Sequence, residues 1–128
     1  MSDTPAADLP LADHDLAVLV EDWIDWAEVG RRIGVTTSRV KSMIQDHLLA
    51  AAVPAPGRGQ LVPELFVHDG DLAKGLSGVV TMLHDGGYSD REIIAWLFLD
   101  LDLPGRPIDA LRENRGSEVK RRAQAMAW

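Results

Sequence analysis

Residues 26–49, WAEVGRRIGVTTSRVKSMIQDHLL, decide how the rest of the chain is read. The stretch has the pattern of a helix-turn-helix, the unit that lays its second helix in the DNA major groove. Asp25 stands at an N-cap position, and Glu28 follows three residues later, the spacing of a capping box. Val29 and Ile33 then fall four apart on one helical face. Gly30 and Gly34 have the same spacing. At Gly30 a side chain is expected to collide with the second helix, and Gly34 supplies the positive φ that ends the first helix in a tight turn. Val35 fills the corner and Thr36 caps the second helix. Val40, Met43 or Ile44, and His47 or Leu48 are expected to face inward. Thr37, Ser38, Lys41, Ser42 and Gln45 are left on the outer face, with Arg39 at its edge. Short hydroxyls, an amide and cations suit phosphates and base edges. An ordinary helical hairpin is the bland alternative, and the helix-turn-helix fold itself also serves protein contacts.

Working outward, residues 50–63 read AAAVPAPGRGQLVP. Two short apolar runs flank a Pro- and Gly-rich centre, the composition of a turn between two strands. A hairpin directly after a recognition helix is a wing, and Arg58 stands at its tip, where a cation can reach the DNA backbone or minor groove. Upstream, DLAVLVEDWI (15–24) is compatible with a short helix or a strand, with Trp23 and Trp26 as anchors. Residues 1–14 are acidic, carry two prolines and show no periodicity, which predicts a disordered tail. Thr4 in that tail is a candidate phosphate acceptor.

Downstream, ELFVHDGDLAK (64–74) is a link whose Phe66 and Val67 pack under the wing. GLSGVVTMLHDGG (75–87) predicts a helix with Val79, Val80 and Leu83 inward and Gly86-Gly87 as its stop. Ser89 and Glu92 form a second capping box before a helix with Ile93, Trp96 and Leu97 on one face. Leu103-Pro104-Gly105-Arg106-Pro107 breaks it. Ile108, Leu111, Val119, Ala123 and Met126 then predict one or two closing helices, the last with Lys120, Arg121 and Arg122 outside. The fold class is therefore mainly α: a winged helix-turn-helix with a short two-stranded wing (15–66) and a C-terminal helical region (67–128).

The net charge of −7 argues against a generic nucleic-acid binder, but the charge is unevenly placed. Residues 1–26 hold seven acids and no Lys or Arg. Residues 27–62 hold Arg31, Arg32, Arg39, Lys41 and Arg58 against Glu28 and Asp46, a net +3. The net-positive segment is the one that carries the helix-turn-helix, and local sign governs a phosphate-facing surface. With no cysteine, disulfide and thiolate chemistry are excluded. No secretory signal and no membrane-spanning apolar run is visible, so a cytoplasmic protein is expected.

Four histidines, at 14, 47, 68 and 84, raise a metal or catalytic reading. His68-Asp69-Gly70 and His84-Asp85-Gly86 repeat a tripeptide, yet Asp-Gly at the end of an element is sufficiently explained by a turn. Neither a phosphate-binding loop nor a nucleophile elbow is present. No catalytic residue, metal site or cofactor is assigned, and no enzyme is expected.

VGRRIGV (29–35), LHDGGYSDREIIAWLF (83–98) and the ending RPIDAL…EVKRRAQAMAW together resemble an actinobacterial family of winged helix-turn-helix DNA-binding proteins, one member of which is a mycobacterial substrate of a serine/threonine protein kinase. That resemblance implies a winged domain with a C-terminal helical region, double-stranded DNA as the partner and a kinase acting on the tail; the role expected of the chain is transcription regulation or nucleoid association. Helix 36–47 would enter the groove. The candidate DNA contacts are Arg31, Arg32, Thr36, Thr37, Ser38, Arg39, Lys41, Ser42, Gln45 and Arg58. AWLFLDLDLPGRPIDAL (95–111) and the Val-bearing final helix also look like the C-terminal domain of a class of bacterial antitoxins. This second likeness implies a protein partner at the C-terminal helices.

Overall fold

In the computed structural model, residues 9–127 are described; Thr4 and Trp128 lie outside them. The element order is α1 (Leu16–Leu19), β1 (Trp23–Ile24), α2 (Trp26–Ile33), α3 (Thr37–Gln45), β2 (Val62–Pro63), β3 (Val67–His68), β4 (Asp71–Leu72), α4 (Leu76–Asp85), α5 (Asp90–Phe98), α6 (Pro107–Arg112) and α7 (Gly116–Ala127). The two readings left open for 15–24 are both realised, a turn of helix and then a strand. β1 runs antiparallel to β2, with Trp23 opposite Pro63 and Ile24 opposite Val62. One residue earlier, Leu61 bridges Ala52 through a pair of backbone hydrogen bonds of 3.0 and 2.8 Å. The segment 61–63 thus lies between the strand that precedes the helix-turn-helix and the one that follows it. This is a winged helix with its sheet cut to a minimum, and 53–60 forms the wing loop.

The local chemistry of α2 and α3 explains their sharp corner. Asp25 Oδ1 accepts from the Glu28 amide at 2.8 Å and Thr36 Oγ1 from the Arg39 amide at 3.0 Å, so both helices begin on a side-chain cap. The Glu28 carboxylate does not return to the Asp25 amide, as a full capping box would require, but turns to Arg31 and Arg32. Gly34 adopts φ 78°, and the amides of Gly34 and Val35 both close on the Gly30 carbonyl. A Cβ at Gly30 would lie 2.6 Å from the Val35 carbonyl oxygen. The obstacle is thus the backbone of the turn, not α3 as expected from the sequence.

The C-terminal region wraps α5. The capping box is complete here, since Ser89 Oγ accepts from the Glu92 amide and Glu92 Oε1 from the Ser89 amide. Every residue from Ile93 to Leu99 is buried, so this helix is enclosed all round and not, as its pattern suggested, on one face. α1, α4, α6 and a 3₁₀ turn at Leu11–Asp13 cover it. Part of the expected tail is accordingly packed: Arg91 donates to the carbonyls of Ala12 and His14, and His14 is buried. Between α4 and the wing, Asp69 and Gly70 both take positive φ in a tight hairpin joining β3 and β4, as the Asp-Gly pair suggested. Two closing helices, α6 and α7, complete the fold.

Two arginines fasten the N-terminal elements to this region. Arg106 grips both oxygens of Glu21 (2.7 and 3.0 Å) and both of Asp109, with its guanidinium 5.4 Å from the centre of the Phe98 ring. Arg112 Nη1 donates to the carbonyls of Leu65 and Val67 at 2.8 and 2.7 Å. One hydrophobic core accordingly runs from Leu16 through Val29, Val40 and Val62 to Leu97, Leu111 and Ala123.

Because the Gly30 contact is backbone against Cβ, it cannot be relieved by a rotamer change. Gly30→Ala is expected to destabilise the fold by about 1–3 kcal/mol, despite the better helix propensity of alanine. Urea denaturation of the variant checks this, and a midpoint at or above that of the parent would contradict it.

Candidate nucleic-acid interface

α3 divides cleanly into two sides. Val40 and Met43 are buried, and Ile44 and Leu48 are half-buried against the core. Thr37, Ser38, Arg39, Lys41 and Gln45 are exposed and Ser42 is half-buried. The Thr36 hydroxyl is occupied as the cap of its own helix. Arg39 and Lys41 form no ion pair among the described residues. The helix is shorter than the 36–47 expected from the sequence. It ends at Gln45, with Asp46 as its C-cap and His47 in the left-handed region at φ 59°. The amide of Leu48 reaches the Met43 carbonyl and that of His47 reaches Ile44, which satisfies the last carbonyls.

α4 holds this end of α3. Thr81 Oγ1 donates to the His47 carbonyl at 2.9 Å, and Ser77 Oγ donates to the Leu48 carbonyl at 2.7 Å. The His47 imidazole stacks on that of His84, with centroids 3.3 Å apart and planes at 11°. These two histidines therefore pack on each other, and among the described residues no group of three or more His, Cys, Asp or Glu is arranged to hold a metal ion.

The cations of α2 are placed differently from those of α3. Arg31 makes a two-pronged contact with the Glu28 carboxylate. Arg32 Nε donates to Glu28 Oε2 at 2.7 Å while its Nη1 lies 3.2 Å from Glu64 Oε2. Arg31 remains largely open to solvent, but Arg32 is bracketed by two carboxylates. The spacing of Glu28 from Arg31 and Arg32, three and four residues, makes the first pairing readable on a helix. The Glu64 partner comes from 32 residues downstream and had no sequence signal. Arg58 is exposed in the wing loop, where its amide closes a turn onto the Ala55 carbonyl at 3.2 Å.

Hydrogen bonds first from Arg31 and then from Arg32 hold the Glu28 carboxyl down to about 2 from its ordinary 4.5. A carboxyl depressed in the folded state contributes stability that is whole above about 4.5 and vanishes as pH falls towards 2. The stability gap between the parent and Glu28→Gln should accordingly narrow across that window. Urea titrations at pH 7, 4 and 2.5 read it directly; a gap that stays constant with pH would contradict the pairing.

Comparisons with known proteins agree with this architecture. Residues 73–127, from Ala73 just before α4 to the end of α7, match a family model described as the Rv2175c C-terminal domain of unknown function. The chain is 37% identical over 122 residues to the DNA-binding protein Rv2175c of Mycobacterium tuberculosis (strain ATCC 25618 / H37Rv), covering 84% of this chain and 82% of that protein. The NMR structure of Rv2175c superimposes with a TM-score of 0.75 at 32% identity, with all of both chains covered. Over this extent of sequence and structure, the chain belongs to the Rv2175c family.

Proposed function

We propose that this chain is a non-enzymatic cytoplasmic protein that binds double-stranded DNA, laying α3 in the major groove and the wing loop on the adjacent backbone. The observation that carries the proposal is the outer face of α3. Thr37, Ser38, Arg39, Lys41 and Gln45 stand exposed on a helix anchored at both ends, within the net-positive segment of an acidic chain. The name of the Mycobacterium tuberculosis relative, a DNA-binding protein, supports the same reading.

In this reading residues 15–66 form the DNA-reading unit, and the C-terminal region from 67 onward supports it. Ser38, Ser42 and Gln45 lie nearest the bases. Arg39, Lys41, Arg58 and Arg31 hold phosphates, while Arg32, already held by Glu28 and Glu64, is a lesser contact. The role is transcription regulation or nucleoid association. A serine/threonine kinase acting on the acidic tail fits as a negative control, because added phosphate there opposes the DNA charge.

About four phosphate contacts predict a slope near −3.6 for log affinity against log salt. Fluorescence anisotropy with a labelled pool of genomic duplexes reads this slope. Arg39→Ala/Lys41→Ala should weaken binding and flatten the slope by roughly 1.8, with the circular dichroism spectrum unchanged. Salt-independent binding, or no effect of the double substitution, would sink the proposal.

Glu28→Gln supplies the opposite test. It frees Arg31 from its carboxylate partner and removes a negative charge beside the DNA-facing surface, so affinity should rise a few-fold. Unchanged affinity would place Arg31 away from the phosphates.

A further inference from the structure

A cleft of about 440 Å³ opens between the start of α4 and the turn that joins α6 to α7. This is the size range of small-molecule pockets. Val79 and Leu111 give it an apolar floor. Lys74, just before α4, and Lys120, on α7, line it from two different elements. Neither lysine forms an ion pair among the described residues. No carboxylate lines the cleft, although the chain has twenty acids against thirteen Lys and Arg.

The backbone is also accessible here. Gly78 and Gly116 line the cleft, and a Cβ at Gly78 would meet nothing within 4 Å. A ligand can therefore approach main-chain amides that a side chain would screen. Residues of the first turns of α4 and α7 both border the space, so their partial positive charges reinforce the two ammonium groups without themselves defining the site.

We propose that this cleft binds a small phosphate-bearing molecule, with the phosphate between Lys74 and Lys120 and any organic part on Val79 and Leu111. The site is distinct from the DNA-facing surface of α3 and does not depend on it. Two unpaired ammonium groups matched to one dianion explain why the charged residues lining a cleft in an acidic protein are both cations. The apolar floor explains why an organic phosphate should gain over the bare ion.

An amide-resolved NMR titration of the full chain tests this, using adenosine 5′-monophosphate and, separately, inorganic phosphate at constant ionic strength. Saturable shifts of the Gly75, Gly78, Gly116 and Ser117 amides are expected. Lys74→Ala/Lys120→Ala should weaken them at least tenfold while the spectrum stays dispersed. Tighter binding of the nucleotide would support an organic phosphate as ligand; equal binding of both would support free phosphate at the same site. Shifts that grow linearly with concentration, or that survive in the double variant, would overturn the proposal. So would a double variant whose loss is confined to duplex DNA affinity, since the lysines would then belong to the DNA surface.

Discussion

The enclosure of α5 is the constraint on which the other elements depend. A helix apolar around its whole circumference must be covered on every side, and Ile93 to Leu99 are all buried. Each fully buried large aliphatic or aromatic side chain contributes roughly 1.5–3 kcal/mol, so this one helix makes a large contribution to the drive to fold. Its polar start then positions distant segments. The Asp90 carboxylate accepts from the Ala51 amide at 3.2 Å, which fixes the base of the wing. The Arg91 guanidinium takes the carbonyls of Ala12 and His14 and draws residues 11–14 onto the core. The winged domain is consequently built on the C-terminal region through shared core and shared hydrogen bonds, not merely tethered to it.

How the cations are used separates structure from function. Arg106 and Arg115 are held in ion pairs, as are Arg31 and Arg32, the latter bridging Glu28 of α2 and Glu64 beyond the wing. Arg91, Arg112 and Arg122 donate to backbone carbonyls. Among the described residues, Arg39, Lys41, Arg58, Lys74, Lys120 and Arg121 have no such side-chain partner. They fall into two sets, one on α3 and the wing and one on α7 with the segment before α4. An internal guanidinium contact is difficult to give up, because a partner left buried and unsatisfied costs about 1–3 kcal/mol. An unpaired surface cation has no such cost to meet when an anion arrives. Net charge alone, at −7, conceals this division.

What could be read from the sequence was the chemistry that acts over a few residues. Thr36 and Ser89 cap the helices they precede, Gly34 takes the left-handed conformation, and Asp69-Gly70 makes a hairpin turn, all from local sterics and hydrogen bonding. Of the interface, the solvent face of α3 followed from helical periodicity alone. The rest depends on pairings across tens of residues. Residues 15–24 could not be resolved because β1 exists through its pairing with Val62 and Pro63. Leu11–Asp13 carries no periodicity, and Arg91 and the flank of α5 give it a place. Arg32 looked like an open phosphate ligand because Glu64 arrives beside it from the far side of the wing. The end of α3 was read two residues late because His47, unlike Gly34, does not announce a left-handed turn.

That His47 turn shows how α3 is kept in place. A left-handed conformation costs a residue with a Cβ roughly 1–2 kcal/mol, and a glycine there would avoid it. A glycine would, however, remove the imidazole that stacks on His84. The carbonyls of His47 and Leu48 accept from Thr81 and Ser77, so α4 grips the backbone immediately after α3 while the side-chain stack covers it. At its other end α3 is fixed by the close approach of Gly30 to the Val35 carbonyl. Both anchors use backbone groups and inward side chains, and neither recruits Thr37, Ser38, Arg39, Lys41 or Gln45. The helix is held by one set of atoms and presents another. Its outer face can thus vary in sequence with little consequence for the fold, as a surface that discriminates among ligands requires.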